Sequence, residues 1–153
     1  MITYLTRNEL NVAKYDTCIA NAINTRVYAN SWFLDIVCDD WDVLVEGDYQ
    51  SVMPLPKRKK YGIHYIYQPP WTQQLGVFSL ETINEFDVLK FVKKIPKKFR
   101  LIDIFLNSDN FISSQRIKMR DNFILSLDKS YESLQKQYSK GRKSSCKQAK
   151  QLI

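Results

Sequence analysis

Ile66 to Ser79, IYQPPWTQQLGVFS, is the stretch on which the fold turns. It places two prolines, three glutamines, a tryptophan and a single glycine between two apolar runs, where a plain hairpin needs only about two to five residues. Upstream, YGIHYIYQ alternates so that Tyr61, Ile63, Tyr65 and Tyr67 share one face, which predicts a strand. Downstream, TINEFDVLKFVKKI offers Thr82 with Glu85 as a capping box. It spaces Ile83, Phe86, Leu89 and Val92 as the inward face of a helix that Pro96 stops. Lys93 and Lys94 supply the charge that a helix C-terminus prefers.

Further from the stretch, WDVLVEG alternates Trp41, Val43 and Val45 against polar neighbours. With YQSVMPLP beyond the Gly47-Asp48 turn it predicts an antiparallel hairpin. Lys57 to Lys60, KRKK, then reads as a solvated loop tip before the next strand. Toward the N-terminus, Asn11 caps a helix with Val12, Tyr15, Ile19 and Ile23 inward. Ser31 to Cys38 reads as a shorter helix, with Ser31 as its cap and Trp32, Phe33, Ile36 and Val37 inward. After Pro96, FRLIDIFLN and DNFILSL carry the β-branched and aromatic content of two more strands. The order predicts an α/β (α+β) domain with a mostly antiparallel mixed sheet flanked by helices.

A chain of 153 residues, 44% hydrophobic and 25% charged, is long enough for one real core. It contains no apolar run of about 18 residues and no basic-then-apolar leader at MITYLTRNEL, which predicts a cytoplasmic protein without a membrane span. Cys18, Cys38 and Cys146 are odd in number and widely spaced, so they read as reduced thiols. With His64 the only histidine, no metal site is expected.

The net charge of +7 is concentrated at one end. Residues 1–115 hold 13 basic and 13 acidic side chains, and residues 116–153 hold 10 and 3. From Tyr131 to Ile153 a long helix is expected, capped by Asp128 or Ser130. Its apolar face would be Tyr131, Leu134, Tyr138, Ser145, Ala149 and Leu152, and Gly141 marks a break between Ser139 and Ser145. On the opposite face fall Lys136, Lys140, Lys143, Lys147 and Lys150, a candidate anion-binding stripe for phosphates as well as an ordinary solvated face. The expected organisation is a domain over 1–128 and a basic amphipathic helix over 129–153.

The order of elements is similar to the GCN5-related N-acetyltransferase fold. In that family a Q/R-x-x-G-x-G/A loop between the fourth strand and the third helix holds the cofactor pyrophosphate on its backbone amides. QQLGVF stands at the equivalent place here: Gln73 and Gly76 match, and Phe78 replaces the small residue, filling space that the pyrophosphate needs. The segments YANSWFLDIV, DYQSVMPLPKRKKYGIHYIYQPPWTQQLGVFS and SYESLQKQYSKGRKSSCKQAKQL together resemble the N-terminal half of Fem-like acyltransferases of the Bacteroidetes type.

That resemblance implies the first of two tandem acetyltransferase-like domains, a truncated chain whose missing partner is the C-terminal domain. It implies a worn phosphate loop (Gln73, Gly76, Phe78) with no cofactor bound by this part, and acetyl-CoA, another acyl-CoA or aminoacyl-tRNA as donor for a full-length protein. Gln68, Trp71, Gln73 and Gln74 are the expected substrate-positioning residues. No catalytic residue is assigned: His64 alternates away from Tyr65 as an ordinary strand residue, and Asp39, Asp40 and Asp42 read as a solvated cluster. Two other classes remain: a basic module that binds RNA, including tRNA, or a phosphorylated donor through its lysines, and a scaffold for the partner domain.

Overall fold

The computed structural model describes residues 1–113, 117–126 and 128–150, and the chain divides into two compact units, residues 1–117 and residues 118–153. The first unit is mixed α/β. Its strands are β1 (Ile2–Thr6), β2 (Trp41–Glu46), β3 (Ser51–Lys60), β4 (Ile63–Ile66), β5 (Phe78–Ser79) and β6 (Phe99–Ile102), and its helices are α1 (Val12–Asn21), α2 (Ser31–Val37) and α3 (Glu85–Lys94). One six-stranded open sheet runs β1-β2-β3-β4-β6, with β5 also paired to β3. Every pairing is antiparallel except β4 with β6.

Alternation along β2 divides the core in two. Trp41, Val43 and Val45 join Tyr15, Ile19 and Leu34 of α1 and α2 in one cluster. Leu44 joins Met53, Leu55, Ile66 and, from α3, Val88 and Phe91 in the other. Both faces of the sheet are therefore covered, and each large apolar side chain buried there stabilises by about 1.5–3 kcal/mol.

The predicted β2/β3 hairpin forms, in register from Trp41 with Pro56 to Glu46 with Ser51, but its turn runs from Gly47 to Gln50, so Tyr49 and Gln50 belong to the turn and not to the strand. The next hairpin corrects the expected loop tip. Lys57 to Lys60 lie inside β3, paired with Ile66 to Ile63, and the turn is only Tyr61-Gly62. Both turn residues are left-handed (φ 49° and 80°), the geometry that two-residue hairpins favour. Lys57 and Arg58 find carboxylate partners, so the tetrad tolerates a strand position.

Several predicted faces are corrected. Ile23 lies beyond the α1 cap and is exposed. In α2 the buried residues are Ser31 and Leu34, while Trp32 and Ile36 face water. Asn30 holds the cap position, and Asp16 sets the helix rotation by accepting from the Ser31 amide (3.0 Å) and hydroxyl (2.6 Å). The buried residues at β4 and just beyond it are Ile66 and Tyr67, with Tyr61 and Ile63 exposed at the turn. The capping box of α3 is Asn84 with Asp87 rather than Thr82 with Glu85, which turns Val88 and Phe91 inward and leaves Phe86 exposed. β1 escaped prediction because five residues at a chain end carry little pattern; pairing with β2 creates it.

In the second unit, Asp121 to Ser126 are exposed and form no strand; Leu127 of that expected strand lies outside the described residues. The expected single helix is two: α4 (Tyr131–Lys136), capped by Ser130, and α5 (Lys140–Ala149), capped by Ser139. Gly141 sits within α5, and the break falls at residues 137–139. Neither helix has a buried residue, and Leu152 of the predicted apolar face lies outside the described residues. Among the described residues no helix is long and apolar enough to cross a membrane, and all three cysteines are free.

Candidate functional site

β4 and β5 both pair with β3, so residues 67–77 form an excursion from a strand ladder. Between the pair Lys57–Ile66 and the pair Val52–Phe78, β3 advances five residues and the opposing chain twelve. At the tip, the Thr72 amide donates to the Pro69 carbonyl (3.4 Å), with Pro70 and Trp71 as the central turn residues. Trp71 has φ 62° in the position that glycine usually takes in such a turn, and it is 88% exposed. A bulky residue held there costs roughly 1–3 kcal/mol, which the rest of the loop must offset.

Gln68 supplies much of that. Its Nε2 donates to the Thr72 carbonyl (2.9 Å) and its Oε1 accepts from the Phe105 amide (2.8 Å). Gln73 Oε1 accepts from the Tyr28 hydroxyl (3.4 Å), and Gln74 Oε1 accepts from Arg26 Nε (3.3 Å). Three of the four expected positioning residues thus brace the loop against its surroundings, and Trp71 is the one presented to solvent.

On the return limb, alternate amides are bonded within the protein. Leu75 donates to the Phe105 carbonyl (2.7 Å), Val77 to Asn110 Oδ1 (2.5 Å) and Ser79 to Asn24 Oδ1 (3.2 Å). The Val77 carbonyl accepts from Asn24 (2.8 Å), Asn107 (3.3 Å) and Asn110 (2.9 Å). Gly76 is at φ 101°, and a Cβ there would collide with the Asn110 side chain. The physical reason given for Phe78 is corrected: its ring is fully buried in the α1/α2 core and does not fill the loop. Asparagine side chains occupy the amides, and α3 starts nine residues past Gly76, too far to lend its N-terminus. Asn24, Asn107 and Asn110, all buried, carried no sequence signal that separates them from turn asparagines.

A second constellation lies on the α3 face. Asp42, expected in solvent, is completely buried. It accepts from Lys57 Nζ (2.6 Å) and from the Tyr4 hydroxyl, and Lys98 Nζ donates in turn to Tyr4 (2.8 Å). Lys57 also pairs with Asp40 (3.1 Å), and Arg58 pairs with Asp39 while lying 4.2 Å over the Tyr67 ring. Burial, then the bond to Asp42, raises the Tyr4 pKa well above its usual value. Burial lowers the Lys57 pKa, and Asp42 and Asp40 more than offset it, leaving that pKa raised. His64 borders this region opposite Lys59 and Phe99.

In the second unit, Lys136, Lys143, Lys147 and Lys150 line a concavity of about 390 Å³ with Gln135 and Cys146. Lys140 is outside it. The break before Ser139 makes this possible: Lys143 Nζ donates to the Lys136 carbonyl at the end of α4 (2.8 Å). Among the described residues none of these lysines has a carboxylate within ion-pair reach, and no cluster of potential metal ligands occurs.

The fold and these sites define a mixed α/β protein with a mostly antiparallel open sheet. No protein-family model, curated protein or solved structure matches the chain.

Proposed function

We propose that residues 1–117 form an acetyltransferase-like domain, of the GCN5-related and Fem-like kind, that serves the substrate side of acyl or aminoacyl transfer to an amine. The observation that carries this reading is the excursion 67–77, placed ahead of α3, with alternate return-limb amides bonded internally and Trp71 held out on a strained turn. The succession of two helices, three paired strands, a capped helix and a parallel closing strand supports it. A pyrophosphate has no free amides to meet at Leu75, Val77 and Ser79, so the donor, whether acyl-CoA or aminoacyl-tRNA, is gripped by a second domain of the same kind. Trp71 packs against the acceptor, as an exposed indole on a rigid turn can do at little entropic cost.

Two measurements test this. Calorimetric titration with acetyl-CoA should give no heat of binding, and saturable binding would overturn the assignment of the donor to another domain. Peptides bearing a free primary amine should shift the tryptophan fluorescence of the protein but not that of Trp71→Ala. Identical spectra across the amine series would sink the acceptor role.

A second reading is favoured by the concavity itself: residues 118–150 bind a polyanion such as tRNA. Retention of tRNA should then fall steeply with salt. Replacing Lys143 and Lys147 by glutamine should abolish it at unchanged Tm. Retention that survives this change would remove the reading.

A further inference from the structure

The α3 face of the sheet continues past the end of α3 into a cleft of about 400 Å³, at the lower end of the roughly 300–1,000 Å³ typical of small-molecule sites. Lys59, His64 and Phe99 stand opposite one another on β3, β4 and β6, forming a row across three strands. Lys98, on the connection from α3, faces the same cleft with its ammonium 4.6 Å from the centre of the Tyr4 ring and 5.1 Å from that of Phe99.

The charges in the cleft do not cancel. Arg58 pairs with Asp39, and Lys57 is shared between Asp40 and the buried Asp42, so the four cations Lys57, Arg58, Lys59 and Lys98 meet three carboxylates and leave one positive charge in excess. Among the described residues, Lys59, His64 and Lys98 have no carboxylate partner. Lys98 is nonetheless held in place: one N–H goes to the Tyr4 oxygen (2.8 Å), and Tyr4 donates to the buried Asp42. That leaves two of its three N–H donors for other acceptors. Like-charged side chains collected on one wall repel each other until an anion joins them.

We propose that this cleft is a binding site for a small phosphomonoester, with Lys59 and Lys98 taking the phosphate oxygens, His64 donating a further hydrogen bond, and Phe99 forming part of the floor beneath. Two ammonium groups and an imidazole supply several donors around one tetrahedral dianion, which suits phosphate better than a monocarboxylate. The volume leaves room for the group that the phosphate carries. The proposal is independent of acyl transfer and of the lysines in residues 118–150.

His64 is the sole histidine, so its ring resonances give an unambiguous readout. Titration of the full chain with glycerol 3-phosphate should move these resonances saturably. Inorganic phosphate should move them more weakly, and acetate hardly at all. Lys59→Ala, a change at an exposed residue, should weaken glycerol 3-phosphate binding by about tenfold or more at unchanged Tm, and Lys98→Met should do at least the same. Lys147→Gln should leave the titration as it is. Unmoved His64 resonances, an equal response to acetate, or wild-type affinity in Lys59→Ala would each overturn the proposal.

Discussion

Residues 1–117 and residues 118–153 are organised by opposite means. In the first unit a central strand buries both faces, and contacts distant in sequence fix every element: β1 meets β2 across some forty residues, and Asn24 reaches Val77. In the second, α4 and α5 are defined by local signals, with serine caps at Ser130 and Ser139 and no buried side chain. Helices of six and ten residues have little stability of their own in water. The lesson is that the same helical pattern means a core in one unit and a charged surface in the other.

The largest test of this contrast is truncation of an apolar side chain in each unit. Phe78→Ala removes a fully buried ring and should cost about 3–5 kcal/mol in urea unfolding. Leu134→Ala, on a helix without buried residues, should change the same transition by less than about 0.5 kcal/mol. Comparable losses would show that α4 is part of a common core, and the contrast would fail.

Alkaline pH should find the first unit next. Burial pushes the Cys18 thiol up to about 11, and burial followed by the nearby Asp39 pushes Cys38 up to about 12, from an ordinary value of 9.0. Burial also raises the Tyr4 and Tyr15 hydroxyls above 10.0. Each group keeps its proton in the folded state after the unfolded chain has released it. The stability they contribute is therefore complete below about pH 9 and is lost as pH rises through the folded values. Near-ultraviolet dichroism should show Tm falling as pH rises from 9 toward 11. Cys18→Ala should flatten the first part of that fall, and an unchanged slope would contradict the burial argument.

What could be read beforehand follows the same division of local and distant causes. The Asn11 cap, the helix spacing of Tyr15 and Ile19, the reversal at Gly47 and the stop at Pro96 are short-range and came through, although the turn that begins at Gly47 runs on to Gln50. The face of α2 did not, because seven residues make fewer than two full turns and Asp16, fifteen residues away, sets its rotation. Asp42 read as solvated because nothing in its neighbourhood announces Tyr4 and Lys57. At the candidate site, the odd composition of residues 66–79 was visible, and Gln68, Trp71, Gln73 and Gln74, expected to position substrate, all fall on the one excursion 67–77. The asparagines that occupy its amides come from chain segments about 30 and 55 residues away, so only the folded chain assembles them.

The smallest test separates capping from packing. Asn84→Ala and Ser139→Ala delete similar N-cap hydrogen bonds, each worth about 1 kcal/mol to its helix. α3 carries Val88 and Phe91 into the second core, so its loss of cap should be transmitted to the global transition and appear as a drop of about 1 kcal/mol. α5 carries nothing into a core, so Ser139→Ala should reduce helical dichroism at 222 nm while leaving the urea midpoint of the first unit in place. Were the Ser139 variant to shift that midpoint as far as the Asn84 variant does, the two units would unfold as one, and the division at residues 117 and 118 would describe geometry without describing cooperativity.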